Sequence, residues 1–152
     1  GRHSRRSMAE CMQMMDVTKA IETAFRAAPF VAHLGIEFEN LGDGWCEAAL
    51  RLQDWHLQQT GVAHAGVLAT LADHCAGAAA STQLAEGEFV VTVEFKINLL
   101  GEAKGKRICA RGNVVKQGRT LTIARVDIYS IENTTEKLCA IMQQTLMCIR
   151  PA

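Results

Sequence analysis

A long apolar helix that carries a single charge dominates the middle of the sequence. The segment from Gln58 to Ser81, QQTGVAHAGVLATLADHCAGAAAS, is a polar loop followed by a run in which Asp73 is the one carboxylate. Its pattern predicts a helix from about Ala65 to Gln83 that is hydrophobic around most of its circumference, and therefore buried. Aspartate is seldom buried unless it is paired or used chemically. Asp73 therefore either meets a polar gap in the core or lines a site.

The patterns on either side of this helix predict an antiparallel sheet. A first, amphipathic helix is expected from about Asp16 to Ala28, where Pro29 ends it. Six segments are expected to be strands: His33 to Glu39, Trp45 to Leu52, Phe89 to Leu99, Lys106 to Lys116, Thr120 to Ile131 and Lys137 to Ile149. The third alternates strictly, which predicts one apolar, half-buried face over eleven residues. Turn residues between segments favour successive hairpins, so the expected class is α+β, a curved antiparallel sheet around a central helix.

Size and charge exclude several classes of protein. The chain has 152 residues, of which 49% are hydrophobic, and this suits one domain over residues 1–152. Sixteen basic residues balance sixteen acidic ones, so no overall field favours nucleic acid or an anionic membrane. No apolar run reaches the roughly 20 residues of a membrane-spanning helix. We expect neither a nucleic-acid nor a membrane partner.

The cysteines and the N-terminus bear on cellular location. The cysteines are Cys11, Cys46, Cys75, Cys109, Cys139 and Cys148, with no Cys-x-x-Cys pair, and several lie in apolar segments. This pattern favours reduced thiols in a cytoplasmic protein. The residues after Arg6 are too polar for a signal peptide. Residues 1–8 are expected to be disordered or left by cloning, with Met8 a candidate for the natural start.

The spacing of polar residues around the helix entry is similar to that of a known family. Gln58 precedes His64 by six positions, and Asp73 follows His64 by nine. This matches the Asn or Gln, the His-Gly-Gly turn and the acidic residue of the hotdog-fold acyl-CoA thioesterases of the phenylacetate-degradation (PaaI-like) type. The strings TVEFKINLLGEAKGK, VVKQGRTLTIARVDIY and KLCAIMQQTLM resemble later strands of that family. The resemblance covers about Leu34 to Met147, with Ala65 in place of the turn's first glycine.

This resemblance implies a hotdog fold and an acyl-CoA thioesterase that needs no metal and no cofactor beyond the CoA of its substrate. Asp73 is expected to act as general base or nucleophile. The unpaired N–H of Ala65 or Gly66 at the helix start suits an oxyanion hole. The amide of Gln58 is expected to add a hydrogen bond, and Thr92 lies where the family often has a hydroxyl residue that positions water.

The remaining site residues and the assembly complete the prediction. Asp73 lies eight residues beyond Ala65, about 12 Å along the helix axis, so one thioester cannot contact both in one chain. A two-fold dimer would solve this by forming each site from two chains, and the resemblance likewise implies a homodimer or a dimer of dimers. By resemblance, Lys116 and Arg119 are expected to bind CoA phosphates. His64 is expected mainly to orient the loop.

Plainer interpretations stand beside these predictions. Asp73 could be a structural carboxylate, Gln58 a loop amide, and Lys116 and Arg119 solvated charges. A metal cluster of His64, Asp73, His74 and Cys75 is disfavoured because neighbouring helical positions point about 100° apart. The alternative function is a non-catalytic acyl-CoA binding or sensing module on the same fold. A hotdog dehydratase is weaker, since the central helix lacks an Asp-x-x-x-x-His element.

Overall fold

The computed structural model describes residues 6–152 as three helices and six strands. The helices are α1 (Met8–Ala27), α2 (Pro29–Leu34) and α3 (Ala65–Ser81), and the strands are β1 (Ile36–Gly42), β2 (Trp45–Arg51), β3 (Phe89–Leu99), β4 (Arg107–Gln117), β5 (Leu121–Glu132) and β6 (Thr135–Ile149). A single 3₁₀ turn, Asp54–His56, lies in the loop before α3. The α+β class is confirmed, and the predicted bounds of β2 to β6 hold to within one or two residues.

The strands form one antiparallel sheet in the order β1-β2-β4-β5-β6-β3. The prediction of successive hairpins is wrong for β3. The chain passes from β2 through α3 to β3, and β3 pairs with β6 at the far edge of the sheet. Strand β4 then returns to pair with β2. This crossover places β3 on an open edge of the sheet, with α3 lying against the sheet between the two edges.

Small residues allow α3 to approach the sheet closely. A Cβ atom at Gly112 of β4 would lie 3.2 Å from Cys75 Sγ and 3.5 Å from the Cys75 backbone. Fully buried alanines line both surfaces: Ala72, Ala76 and Ala79 on the helix, and Ala48, Ala110, Ala124 and Ala140 on the strands. Leu71 and Ile128 fill the larger spaces. Asp73, which belongs to this helix, is thereby fixed in height above the sheet.

The N-terminal third differs from the prediction at two points. Helix α1 begins at Met8, where Ser7 Oγ accepts the Glu10 N–H and the Glu10 carboxylate accepts the Ser7 N–H, a capping box. Ser7 is the N-cap and Met8 the first residue of this helix, while residues 1–5 lie outside the described part of the chain. Pro29 both follows α1 and opens α2, since proline suits the first helical position. His33, expected in a strand, accordingly belongs to α2.

Strand β3 departs most from its sequence pattern because it contains a bulge. The pairing with β6 shifts between Thr92 and Glu94. Before the shift, Thr92 pairs with buried Leu146, and after it Ile97 pairs with buried Met142. Before the bulge, the even-numbered side chains therefore face α3. After it, the odd-numbered side chains do. The prediction of one buried apolar face is wrong, and apolar residues of this edge strand stay exposed: Phe89, Val91, Val93, Phe95 and Leu99.

Two findings bear on the surroundings of the protein. No helix within residues 6–152 is long and apolar enough to cross a membrane. All six cysteines, from Cys11 to Cys148, are free thiols, and Cys11 is the exposed one. The cytoplasmic location stays a prediction.

Candidate active site

Asp73 lies in the middle of α3, where a polar group interrupts the apolar contact between the helix and the sheet. The Thr92 hydroxyl donates to Asp73 Oδ1 at 2.7 Å, and the Gln144 side-chain amide donates to the same oxygen at 2.6 Å. Gln144 Nε2 also lies 2.9 Å from Thr92 Oγ1. The carboxylate is half-buried. Its second oxygen, Oδ2, has no hydrogen-bond donor within residues 6–152 and is not fully buried. One carboxylate oxygen is held while the other stays open to solvent.

Sequence reasoning predicted Thr92 but missed Gln144. Strand β6 brings Gln144 into the core between Met142 and Leu146, and its side chain is 1% exposed. The sequence carries one signal for Gln144. It lies among the inward-facing apolar residues of its strand, and uncharged amides are seldom buried without a partner. The bulge in β3 positions Thr92, the other residue that holds Asp73, because it turns Thr92 toward α3 rather than toward the outer face of the sheet.

The start of α3 forms a second group of predicted residues. His64 is the N-cap, and its Nδ1 accepts the Gly66 N–H at 2.9 Å. The Ala65 N–H has no acceptor among the described residues. Gly66 is a glycine for a local reason, because a Cβ there would lie 3.1 Å from His64 Nδ1. Of the two donors that the sequence proposed, the Ala65 N–H is therefore the free one.

Hydrogen bonds determine the tautomer of His64 and the orientation of the Gln58 side-chain amide. Because His64 Nδ1 accepts a hydrogen bond, a neutral His64 carries its proton on Nε2 and can act there as a donor. The Gln58 amide donates to Thr60 Oγ1 at 2.6 Å, and its oxygen accepts the Thr60 N–H. One N–H of that amide remains. Gln58, His64 and Ala65 share the lining of a depression of about 320 Å³.

A buried histidine that sequence reasoning missed anchors the loop before α3. His56 Nδ1 accepts the Gln53 N–H at 2.9 Å, which leaves Nε2 to donate to the Leu34 carbonyl at 2.8 Å. The His56 carbonyl in turn accepts the His64 N–H at 2.9 Å. The helix cap is therefore tied through His56 to the end of α2.

The predicted residues fall into three separate places in one chain. Asp73 and Thr92 form the first, and the residues from Gln58 to Gly66 form the second. Lys116 and Arg119 lie at the β4–β5 turn, where Gln117 donates to the Gln83 carbonyl just beyond the end of α3. This turn lies at the end of α3 opposite to Ala65. Neither cation has a salt bridge among the described residues.

The cysteines near the site are chemically protected. Cys75 Sγ donates to the Cys46 carbonyl at 3.2 Å. A hydrogen bond with the Cys46 side chain, and in second place complete burial, raise the pKa of the Cys75 thiol well above its usual value. Cys75 therefore does not supply a thiolate nucleophile beside Asp73. Residues 6–152 also contain no group of three His, Cys, Asp or Glu side chains placed to hold a metal ion.

A six-stranded antiparallel sheet around one buried helix is the architecture of the hotdog fold. Residues 60–137 match the family described as "Thioesterase superfamily", so the chain belongs to that family. A thioesterase family protein of Silicibacter pomeroyi is 36% identical, with a TM-score of 0.86 over 89% of this chain and 99% of that one.

Two further similarities are to an acyl-CoA thioesterase and to a protein with the same fold. Acyl-coenzyme A thioesterase 13 of Mus musculus is 33% identical over 62% of this chain and 65% of its own length. The PaaI protein of the Escherichia coli phenylacetic acid degradation operon has the same fold, with a TM-score of 0.81 over 91% of this chain and 97% of that one, at 18% identity. The resemblance to the hotdog-fold thioesterases is confirmed, and the protein is a hydrolase that acts on thioesters.

Proposed function

We propose that this thioesterase hydrolyses acyl-CoA to the free acid and CoA, at sites that each combine residues of two chains. The observation that carries the proposal is the Asp73 carboxylate, held at Oδ1 by Thr92 and Gln144 and open at Oδ2. A purely structural carboxylate in an apolar helix would be expected to have both oxygens satisfied. The name of the mouse relative supports CoA esters as the substrate class.

Asp73 Oδ2 is the proposed reactive atom, and two routes use it. As a nucleophile it adds to the thioester carbonyl carbon, and collapse of the tetrahedral intermediate expels CoA thiolate and leaves an acyl-aspartyl anhydride that water hydrolyses. As a general base it takes a proton from water while the water oxygen adds to the same carbon, and collapse of the tetrahedral intermediate breaks the C–S bond and releases CoA, whose sulfur takes up that proton. Thr92 assists both routes by holding Oδ1, and no step needs a metal.

The Ala65 N–H is the proposed oxyanion donor. It lies at the positive end of a 17-residue helix and is free, whereas His64 occupies the Gly66 N–H. The remaining N–H of Gln58 is a second donor toward the same depression. The proposal therefore assigns Gly66 a structural role and gives His64 the role of cap.

Pairing of two β3 edges would bring the two halves of the site together. Thr92 lies beside Asp73 near the start of β3, and Leu99 lines the depression at Ala65 near its end. If two β3 strands pair antiparallel about a two-fold axis near the middle of the strand, the Thr92 end of each strand comes beside the Leu99 end of the other. The same contact covers exposed apolar side chains on the open edge, including Val93 at 54% exposure. A dimer of such dimers is compatible with this arrangement.

The CoA nucleotide is proposed to meet the β4–β5 turn. Lys116 and Arg119 are exposed there without salt-bridge partners in the described chain, so both charges are available to phosphates. In the proposed dimer, this turn belongs to the chain that supplies the carboxylate and lies beyond the C-terminal end of its α3. We also propose the reducing cytoplasm as its location, consistent with six free thiols.

The test is thiol release from a panel of acyl-CoA esters by wild type and by Asp73→Asn, with Asp127→Asn as a matched control on the outer face of the sheet. The expected result is a loss of kcat of at least about 10³-fold in Asp73→Asn alone. Unchanged turnover in a folded Asp73→Asn protein would refute the catalytic assignment. Tight binding of acyl-CoA without hydrolysis by wild type would instead select the non-catalytic alternative.

A further inference from the structure

The contact between Gln144 and Asp73 cannot be explained by packing alone. The amide nitrogen of Gln144 donates to Asp73 Oδ1, but its own oxygen is buried and has no hydrogen-bond partner within residues 6–152. The reverse orientation of the amide would set its oxygen against the carboxylate, so the orientation is determined by Asp73. An unpartnered buried carbonyl costs free energy that an apolar side chain at the same position would not.

The surroundings of Gln144 are suited to an apolar residue. Its neighbours on the inward face of β6 are Met142 and Leu146, both almost completely buried. Gln144 pairs with Phe95 across the β3–β6 ladder. A methionine of similar length would fill this space with no unpaired polar atom. What the glutamine offers in place of better packing is one donor aimed at Asp73.

We infer that Gln144 is a positioning residue for the hydrolytic reaction, which holds Asp73 Oδ1 so that Oδ2 faces the thioester. The inference rests on the proposed function and goes beyond it by adding a residue from β6. Gln144 is 1% exposed, so its effect on the reaction is exerted through Asp73. Thr92 and Gln144 approach the same oxygen from β3 and β6, which fixes both the height and the rotation of the carboxylate.

The experiment measures kcat, KM and melting temperature for Gln144→Met with an acyl-CoA that wild type hydrolyses. Gln143→Met is the matched control, because Gln143 is the adjacent residue of the same strand and is exposed on the other face. The expected result for Gln144→Met is a fall in kcat of about 10-fold or more, since loss of orientation at a reacting group is costly. KM should stay within about two-fold, and the melting temperature should not fall.

Kinetics and thermal stability together distinguish a positioning role of Gln144 from a structural one. A Gln144→Met enzyme whose kcat stays within about two-fold of Gln143→Met overturns the inference, while the Asp73→Asn result still decides the proposed function. Gln144→Asn is the second variant, because it keeps a buried amide but withdraws the donor by one methylene group. Its kcat should fall as well. Parallel losses of kcat and melting temperature in both variants would make Gln144 a structural residue and refute the inference.

Discussion

Replacement of Ala65 by proline tests the oxyanion donor with little disturbance of the fold. Ala65 is the first residue of α3, where an N–H is not needed for the helix and proline is favoured. The preceding residue, His64, has φ −61° and ψ 139°, the extended conformation that a following proline requires. The Gly66 N–H and the His64 cap are unaffected by the change. Ala65→Pro therefore removes one hydrogen-bond donor and little else.

The expected loss follows from the number of donors that remain. Removal of one oxyanion donor lowers kcat by about 10²- to 10³-fold in enzymes of known mechanism. In this site the Gly66 N–H cannot substitute, because it is bonded to His64 Nδ1 at 2.9 Å. We therefore expect a loss in that range, with a melting temperature close to that of wild type. Ala65→Ser, which adds an atom but keeps the N–H, is the control and should retain most of kcat.

The same variant tests whether a site is formed by two chains. Asp73→Asn and Ala65→Pro proteins are each expected to lose almost all activity, but in a mixed dimer one site would combine the intact Asp73 of one chain with the intact Ala65 of the other. Random reassortment makes half of the dimers mixed, each with one intact site of two, so activity should recover to about 25% of wild type. The assay is thiol release after the two proteins are mixed, unfolded and refolded together.

Two results would refute this reasoning. If Ala65→Pro, folded and with an unchanged melting temperature, turns over acyl-CoA as fast as Ala65→Ser, the helix start does not stabilise the oxyanion. If both single variants are inactive but the mixture recovers nothing, although mass spectrometry detects mixed dimers, each site is contained in one chain. The second result would also remove the reason for placing β3 at the dimer contact.

Three further predictions test the coenzyme site, the packing of α3 and the thiols. Lys116→Gln/Arg119→Gln should raise KM several-fold for an acyl-CoA but not for the corresponding N-acetylcysteamine thioester, which lacks phosphates, and kcat should not change. Gly112→Ala should cost about 1–3 kcal/mol of stability, because its Cβ would lie 3.2 Å from Cys75 Sγ, and calorimetry should find a smaller cost in a Cys75→Ala background. Iodoacetamide should label Cys11 in the native protein but Cys75 only after unfolding, since the hydrogen bond with Cys46 and burial raise the pKa of the Cys75 thiol.

Local chemistry explains what the sequence could predict. The bounds of α3 follow from a helix pattern and a polar entry, and the spacing of Gln58, His64 and Asp73 identified the family before any geometry was known. The choice between Ala65 and Gly66 as donor could not be predicted, because it depends on which N–H the His64 ring accepts. His56 and Gln144 were missed since their partners, Leu34 and Asp73, are distant in the sequence.

Strand β3 illustrates why an unbroken sequence pattern can mislead. Alternation over eleven residues records which residues are apolar, but it cannot detect the one-residue bulge that exchanges the two faces of the strand. Without the bulge, Ile97 and Thr92 would lie on opposite faces, and Thr92 would point away from Asp73. With it, Thr92 faces the carboxylate, Ile97 packs against the core, and other apolar side chains of the strand remain exposed on an open edge. The bulge thus links the position of Asp73 to the edge at which we propose that a second chain binds.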